Sequence, residues 1–169
     1  MEIQSLRTDG CIDEVIEKYS NMVYRLALAQ MKTRHDAEDV FQDVFLRYIS
    51  KPRVFESEEH RKAWLLRVTI NRSKTLLSAW FRKNKSLDDE SESLVFETAE
   101  QNDLFEYLTL LPQKYRSVIH LFYNEDLSIK QISEILDAKE STVRAWLTRA
   151  RAILRKKLNG GFPDESKYL

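Results

Sequence analysis

Cysteine, glycine and proline are scarce in this chain, with one, three and three residues among 169. A single cysteine, Cys11, cannot form an internal disulfide, which excludes a small secreted fold held by disulfides. Glycine and proline favour tight turns and interrupt helices, so their scarcity favours long helices. No apolar run approaches the ~20 residues that a membrane-spanning helix requires, and the amino terminus lacks the apolar core of a signal peptide. These absences predict a helical cytoplasmic protein that is not embedded in a membrane.

Charged residues make up 32% of the chain, but their signs are separated along it, and the formal net charge is zero. Residues 58–85 contain eight basic and two acidic residues, a net charge of +6. Residues 138–158 contain seven basic residues and one acidic residue, again +6. Between them, residues 86–106 carry eight acidic residues and no basic ones. This pattern predicts two basic segments that bind a polyanion and an acidic linker between them that does not bind it.

The segment Leu127–Leu158 has the pattern of two helices joined by a short turn, and the second helix is basic. Ser128 and Gln131 have capping-box spacing, which predicts the start of the first helix. Asp137 stands in the turn, where many such motifs have glycine, and Asp tolerates the left-handed conformation better than most residues. The second helix has one apolar stripe, made by Val143, Leu147, Ala150, Leu154 and Leu158. This outline predicts a helix-turn-helix DNA reader.

Polar and basic residues cover the other side of that second helix. Arg144 and Thr148 lie one turn apart near its amino end, where a recognition helix meets base edges. Basic residues further along suit phosphates, and they are Arg149, Arg151, Arg155, Lys156 and Lys157. For Lys156 and Lys157 alone, a solvated helix end that complements the helix dipole is an equally good interpretation.

The amino-terminal half predicts three helices, over about 12–31, from a cap at Thr33 to about 50, and over about 58–81. On the second helix the predicted inward stripe is Ala37, Val40, Phe41, Val44, Phe45 and Tyr48. Its opposite face combines acids and an amide with apolar residues, namely Asp39, Gln42, Asp43, Leu46 and Ile49. A solvated face seldom carries Leu and Ile beside acids, so this face is a candidate protein-docking surface.

The third helix is predicted to be apolar around most of its circumference, at Leu65, Leu66, Ile70, Leu76, Leu77 and Trp80. The remaining arc carries Arg67, Asn71, Lys74 and Ser78, with Trp64 and Thr75 at its edge. Cations for phosphate, an amide for a base edge and a ring for stacking suit a partly opened nucleic acid. A plain polar face with a half-buried Trp explains the same spacing equally well.

Four stretches carry a family resemblance: HDAEDVFQDVFLRYI, RKAWLLRVTINRSKTLL, LPQKYRSVIHLFYNEDLSIKQISEIL and STVRAWLTRARAILRKKL. In this order and separation they closely resemble the bacterial RNA polymerase sigma factors of the extracytoplasmic-function (ECF) group, in the sigma-70 family. The resemblance covers about residues 19–158. It implies an all-α protein of two small helical domains joined by a flexible acidic linker, with a helix-turn-helix in the second domain.

The resemblance implies that a region-2 domain docks on the clamp helices of the largest polymerase subunit. The matching docking positions are Asp39, Gln42 and Asp43, to which the same face adds Leu46. The following helix of the family holds open the minus-ten promoter element, and its Asn lines a pocket for an extruded base. Asn71 matches that position, and the minus-ten set is Trp64, Arg67, Asn71, Arg72 and Lys74.

The carboxy-terminal half resembles the region-4 domain, whose recognition helix reads the minus-thirty-five element in duplex DNA. The expected reading set is Thr142, Arg144, Ala145, Thr148, Arg149 and Arg151. The chain departs from the usual family pattern at Lys139, Ala145 and Trp146. The side on which Trp146 projects predicts packing against a neighbouring helix and not contact with DNA.

The expected organisation is a region-2 domain over 1–82, an acidic linker over 83–101, a region-4 domain over 102–158 and a loose tail over 159–169. Acids in the linker are hypothesised to imitate RNA in the polymerase channel. The expected partners are core RNA polymerase and promoter DNA, with an anti-sigma factor as a further candidate, and no cofactor, metal, catalytic residue or small-molecule substrate is expected. A redox role for Cys11 has little support.

Three other functions are open at this point. His35 and Asp36 form an HD dipeptide, with Asp39 and Asp43 at helical spacing, as in helical metal-dependent phosphohydrolases. His60 and His120 are isolated, however, so the ligand set is incomplete. A stand-alone helix-turn-helix regulator would use only the carboxy-terminal half and leave the docking face unexplained. A degenerate sigma factor would keep the shape but act only as an interaction protein.

Overall fold

The computed structural model describes residues 12–51, 53–84, 108 and 110–159 of the chain. All regular elements within those ranges are helical, and the chain divides into two compact units, residues 1–97 and 98–169. The predicted all-helical, two-domain architecture is thereby confirmed. Within the same ranges, no helix combines the length and the apolar character needed to cross a bilayer. Cys11, the acidic linker beyond Asn84 and the tail beyond Asn159 lie outside the described residues.

The first unit is a bundle of three helices, α1 (Ile12–Gln30), α2 (Arg34–Ser50) and α3 (Glu58–Asn84). Thr33 caps α2 as predicted, because its side-chain oxygen accepts from the backbone N–H of Asp36 over 3.1 Å. The core of the bundle contains Val15, Tyr19, Val23, Ala27, Met31, Ala37, Val40, Val44, Phe45, Tyr48, Phe55, Leu65 and Leu77. The predicted inward stripe of α2 is buried except for Phe41, which is half-buried.

A polar cluster joins the start of α3 to α1. The hydroxyl of Tyr19 donates to Glu58 Oε2 over 2.6 Å, and Arg61 and Lys18 also pair with the Glu58 carboxylate. Burial and the bond to Glu58 raise the pKa of Tyr19, while the same bond and the two cations lower the pKa of Glu58. The cluster therefore holds a neutral phenol against an ionised carboxylate and fixes the angle at which α3 begins.

The far end of α3 differs from the prediction. The helix continues to Asn84, and Trp80, predicted to belong to the apolar face, is 37% exposed, with Phe81 53% exposed. At 27 residues α3 is about 40 Å long, against about 25 Å for the 17 residues of α2. The last turns of α3 are only partly covered because the neighbouring helices are shorter.

The second unit contains α4 (Gln113–Ile119), which continues into a turn of π-helix (His120–Asn124), then α5 (Ile129–Leu136) and α6 (Glu140–Asn159). The capping box of Ser128 and Gln131 is present, with bonds of 2.9 and 3.1 Å. Asp137 ends α5 in the left-handed conformation, at φ 51° and ψ 49°. The predicted helix-turn-helix is confirmed, and its interface buries Ile132, Ile135, Val143, Leu147 and Ala150, while Leu154 and Leu158 are half-buried.

Candidate functional site

The outward face of α2 combines acidic and apolar side chains, as the sequence predicts. Leu46 is 62% exposed and Ile49 45% exposed, with Asp39 and Gln42 exposed on the same helix. Asp43 is half-buried at the edge of this face. Two large aliphatic side chains in solvent beside carboxylates form a surface suited to a protein partner.

The HD dipeptide at the start of α2 has a structural role. The Asp36 carboxylate accepts from the Thr33 hydroxyl over 2.8 Å, and its backbone N–H is the group that Thr33 caps. The prediction that Asp36 serves the helix start is confirmed. His35 Nε2 lies 3.7 Å from Asp39 Oδ2 on the exposed surface. Within the part of the chain that the structure describes, no group of three or more His, Cys, Asp or Glu is placed to hold a metal.

An ion pair connects α2 to α3. Arg72 Nε donates to Asp43 Oδ2 over 3.1 Å, and a terminal nitrogen of the same guanidinium also bonds that oxygen. The two side chains are 23% and 38% exposed. Sequence reasoning assigned Asp43 to the docking face and Arg72 to the DNA face. The structure brings the two residues together at the boundary between these faces.

The polar arc of α3 is exposed along its length. Arg67, Asn71, Lys74 and Ser78 all lie in solvent, while Ile70, Ser73 and Leu77 on the other side are buried. The Thr75 hydroxyl donates to the Asn71 carbonyl over 3.0 Å. The predicted spacing therefore produces one continuous stripe with an amide at its centre, which we call the α3 stripe (Arg67, Asn71, Lys74 and Ser78).

Trp64 is half-buried near the first turns of α3 and has a neighbour that sequence reasoning missed. The Arg53 guanidinium lies 4.4 Å from the centre of the Trp64 ring. The Tyr48 and Phe55 rings lie edge-on at 5.9 and 6.0 Å. A cation stacked on an aromatic ring keeps that ring in a fixed orientation. Arg53 belongs to no helix, so helical periodicity gave no signal for it.

The recognition helix α6 exposes part of the predicted reading set. Arg144, Thr148 and Arg149 are exposed, whereas Thr142, Ala145 and Arg151 are half-buried. Trp146 is half-buried, with the Lys114 ammonium of α4 located 5.8 Å from its ring centre. The prediction that Trp146 packs against a neighbouring helix is confirmed.

Arg151 is held by an aromatic pair that the sequence did not reveal. Its Nε donates to the Tyr123 hydroxyl over 2.7 Å. Its guanidinium carbon lies 5.4 Å from the Phe122 ring centre and 5.5 Å from that of Tyr123. Tyr123 follows α4 in the π-helical turn, 28 residues before Arg151. Tyr123, Thr148, Arg151 and Arg155 line one open depression in this unit.

The two units match two different family descriptions in the order that the sequence predicts. Residues 15–86 match sigma-70 region 2, and residues 101–154 match sigma-70 region 4. The ECF RNA polymerase sigma factor SigM of Bacillus subtilis is 32% identical, over 91% of this chain and 99% of the relative. SigV of the same organism is 30% identical, over 89% of this chain and 93% of the relative.

The chain belongs to the ECF sigma factors. It is an alternative sigma factor that directs transcription initiation. Helices α1 to α3 of this ECF sigma factor therefore form region 2, and α4 to α6 form region 4.

Solved structures share its fold. The sigma factor RpoE from Bartonella quintana, in complex with the anti-sigma factor NepR, gives a TM-score of 0.74 at 21% identity and covers 89% of this chain and 98% of that one. CnrH, in complex with the cytosolic domain of CnrY, gives a TM-score of 0.63 at 19% identity and covers 89% of both chains. At these identities the similarity establishes the fold alone.

Proposed function

We propose that this sigma factor acts through three surfaces: the outward face of α2 for core RNA polymerase, the α3 stripe for the minus-ten element and α6 for the minus-thirty-five element. One observation carries the proposal. The same three-helix bundle exposes an acidic and apolar face on α2 and a basic face with an amide on α3. Faces of opposite charge suit different macromolecules, one a protein and the other a nucleic acid.

The polymerase-binding surface comprises Asp39, Gln42, Asp43 and Leu46. Leu46, at 62% exposed, gains most from burial against a partner, because apolar area leaves water when the two surfaces meet. The carboxylates beside it select a basic partner and exclude an acidic one. We infer that the partner is the clamp helices of the largest subunit of core RNA polymerase, which places the protein in the cytoplasm.

The minus-ten surface comprises Trp64, Arg67, Asn71, Arg72 and Lys74. Extracting a base from the stack costs a few kcal/mol, which contacts to the extracted base must offset. Asn71 offers a donor and an acceptor to a base edge from the middle of the stripe. Arg67 and Lys74 lie on either side of it along α3 and suit the flanking phosphates.

The minus-thirty-five surface comprises Thr142, Arg144, Ala145, Thr148, Arg149 and Arg151. Arg144, exposed near the amino end of α6, is the candidate for a base contact in the major groove. Arg149 and Arg151 lie further along and suit backbone phosphates, which position the helix without reading sequence. The aromatic pair that holds Arg151 reduces the entropy that this side chain loses when it binds a phosphate.

An anti-sigma factor is a further expected partner, because the sigma factor RpoE of Bartonella quintana forms a complex with the anti-sigma factor NepR. A protein that covers the α2 face of this chain would exclude polymerase from it. Such a partner would thereby keep the sigma factor inactive until released.

Run-off transcription on fragmented genomic DNA tests the proposal. We expect specific transcripts with core RNA polymerase plus this protein and none with core enzyme alone. Aligned start sites would then supply both promoter elements. Tight core binding without transcripts would indicate a degenerate sigma factor, and a DNA footprint without core binding would indicate a stand-alone regulator.

A further inference from the structure

Two aromatic rings at the end of α3 are only partly covered by the residues that the structure describes. Phe81 is 53% exposed and Trp80 37% exposed. The rings meet edge to face, with centres 5.1 Å apart at 86°. Neither ring belongs to the surfaces assigned above. Leaving this much aromatic area in water costs stability that burial would recover, so the pair is a candidate contact site.

Phe81 continues the α3 stripe. Arg67, Asn71, Lys74 and Ser78 are followed by Phe81 at successive steps of four, three, four and three residues. Steps of this kind keep side chains on one side of a helix. The five positions are all exposed. A strand lying along Asn71 and Lys74 would therefore reach Phe81 after Ser78.

A cation accompanies the rings. The Lys32 ammonium, from the connection between α1 and α2, lies 5.0 Å from the Phe81 ring centre and 4.4 Å from that of Trp80. Together with the Trp80 ring, it fixes the orientation of Phe81 before any ligand binds. Lys32, Lys83 and one acidic residue, Asp36, line the adjacent cavity. Among the charged residues that line this cavity, basic side chains therefore outnumber acidic ones.

A flat, pre-oriented ring among cations, in line with a stripe of basic and amide side chains, suits an unpaired nucleobase and its phosphate. An acidic protein would also be attracted by the charge, but it would gain nothing from the alignment with Asn71. Duplex DNA offers no exposed base face to the ring. Under the proposed minus-ten function, the strand whose base is extracted at Asn71 is unpaired, and the exposed positions from Asn71 to Phe81 offer it one side of the helix.

We propose that Phe81, supported by Trp80 and Lys32, is a base-stacking residue for the single strand of the opened promoter, at a position beyond the one that Asn71 contacts. This inference rests on the proposed minus-ten function of the α3 stripe. It extends the strand-binding surface to the last turns of α3, over 10 residues from Asn71 to Phe81.

The test uses holoenzyme formed from core RNA polymerase and the full chain. The DNA is a promoter mapped by run-off transcription, with the minus-ten region left unpaired. Phe81→Leu keeps an apolar side chain but removes the ring, and we expect roughly tenfold weaker binding, within the range for one stacked base. Phe81→Tyr keeps the ring and should bind within about twofold of the wild type. The Tyr variant also controls for folding.

An abasic scan of the unpaired strand locates the base. At one nucleotide, removal of the base should weaken the wild type by about tenfold but leave Phe81→Leu unchanged, because the stacking partner is already lost. Equal sensitivity of wild type and Phe81→Leu at every nucleotide would overturn the inference. So would a loss of affinity for core enzyme in the absence of DNA, which would assign Phe81 to a protein contact.

Asn71→Ala separates this inference from the proposed function. If Asn71→Ala weakens binding to the unpaired strand and Phe81→Leu does not, the minus-ten assignment stands and the stacking role is wrong. If neither variant weakens binding, the minus-ten assignment of the whole α3 stripe fails.

Discussion

The Arg72 guanidinium donates to the Asp43 carboxylate over 3.1 Å and so joins the acidic face of α2 to the basic face of α3. The two residues are 29 positions apart in sequence. Under the proposed function, one belongs to the polymerase surface and the other to the promoter surface. The pair is therefore a direct physical connection between the two contacts that region 2 is proposed to make.

Breaking the ion pair between Arg72 and Asp43 should affect both promoter opening and binding to core enzyme. We expect Arg72→Ala to weaken promoter opening and also core binding, because Asp43 loses the partner that orients it. A double-mutant cycle combines Arg72→Ala with Asp43→Asn and measures the free energy of unfolding of each variant. The coupling energy between the two side chains should be about 1 kcal/mol, as for a half-exposed pair. Arg67→Ala serves as the control on the same helix and should reduce promoter opening only. Additive effects of the two substitutions would show that the pair contributes nothing.

Charge reversal on α2 tests the polymerase surface away from that ion pair. Asp39→Arg should weaken binding to core enzyme by about 1.5–3 kcal/mol, the usual value of a hydrogen bond to a charged group. Glu17→Arg, at an exposed position of α1, makes the same charge change outside the proposed surfaces. Affinities are measured by titration of core enzyme without DNA. Equal losses for both variants would point to a general charge effect and not to a docking site.

Removal of one amide tests the centre of the α3 stripe. Asn71→Ala should impair promoter opening and promoter choice more than core binding, because the lost contacts are to an extracted base. Permanganate reactivity of the opened region and the affinity for core enzyme are measured on the same preparations. Parallel losses in the two measurements would contradict the assignment.

Two arginines of α6 are expected to differ in their effects. Arg144→Ala should cost about 1–3 kcal/mol and relax preference at one base pair of the minus-thirty-five element. Arg149→Gln should weaken DNA binding about equally for all sequences. It should also reduce by about 1 the steepness with which the logarithm of the binding constant falls against the logarithm of the salt concentration. Holoenzyme binding to a set of single-base promoter variants at several salt concentrations distinguishes the two. A base preference that follows Arg149 would reverse the assignment.

The Tyr19 and Glu58 pair predicts a pH-dependent contribution to stability. The pKa of Glu58 is lowered in the fold, so its contribution is present above the ordinary carboxyl pKa and is lost as the pH falls through the folded pKa. Tyr19→Phe removes the largest cause of that lowering. We expect a loss of about 1 kcal/mol at pH 7 and a smaller loss under acidic conditions, measured by urea unfolding. A loss that does not change with pH would mean that packing, and not the hydrogen bond, is responsible.

Much of the local structure followed from sequence because its causes are local. The caps at Thr33 and Ser128 and the left-handed turn at Asp137 depend on side chains within three residues of the backbone groups that they satisfy. The outward faces of α2 and α3 could be predicted from helical periodicity, because all residues of each face belong to a single helix. Family membership was readable for the same reason, from the order of these local patterns along the chain.

Tertiary structure decided which side chains from different elements meet. Helical periodicity assigns a side chain to a face of its own helix but contains no information about the element packed against that face. It therefore could not predict three contacts: Arg72 with Asp43, Arg53 with Trp64, and Arg151 with Tyr123. Trp80 shows the same limit, since its exposure depends on where the neighbouring helices end. The sequence by itself determined the helices, their faces and the family. Only the packed fold decided which charges are paired and which aromatic rings remain in solvent, because those outcomes depend on distances between segments that are remote along the chain.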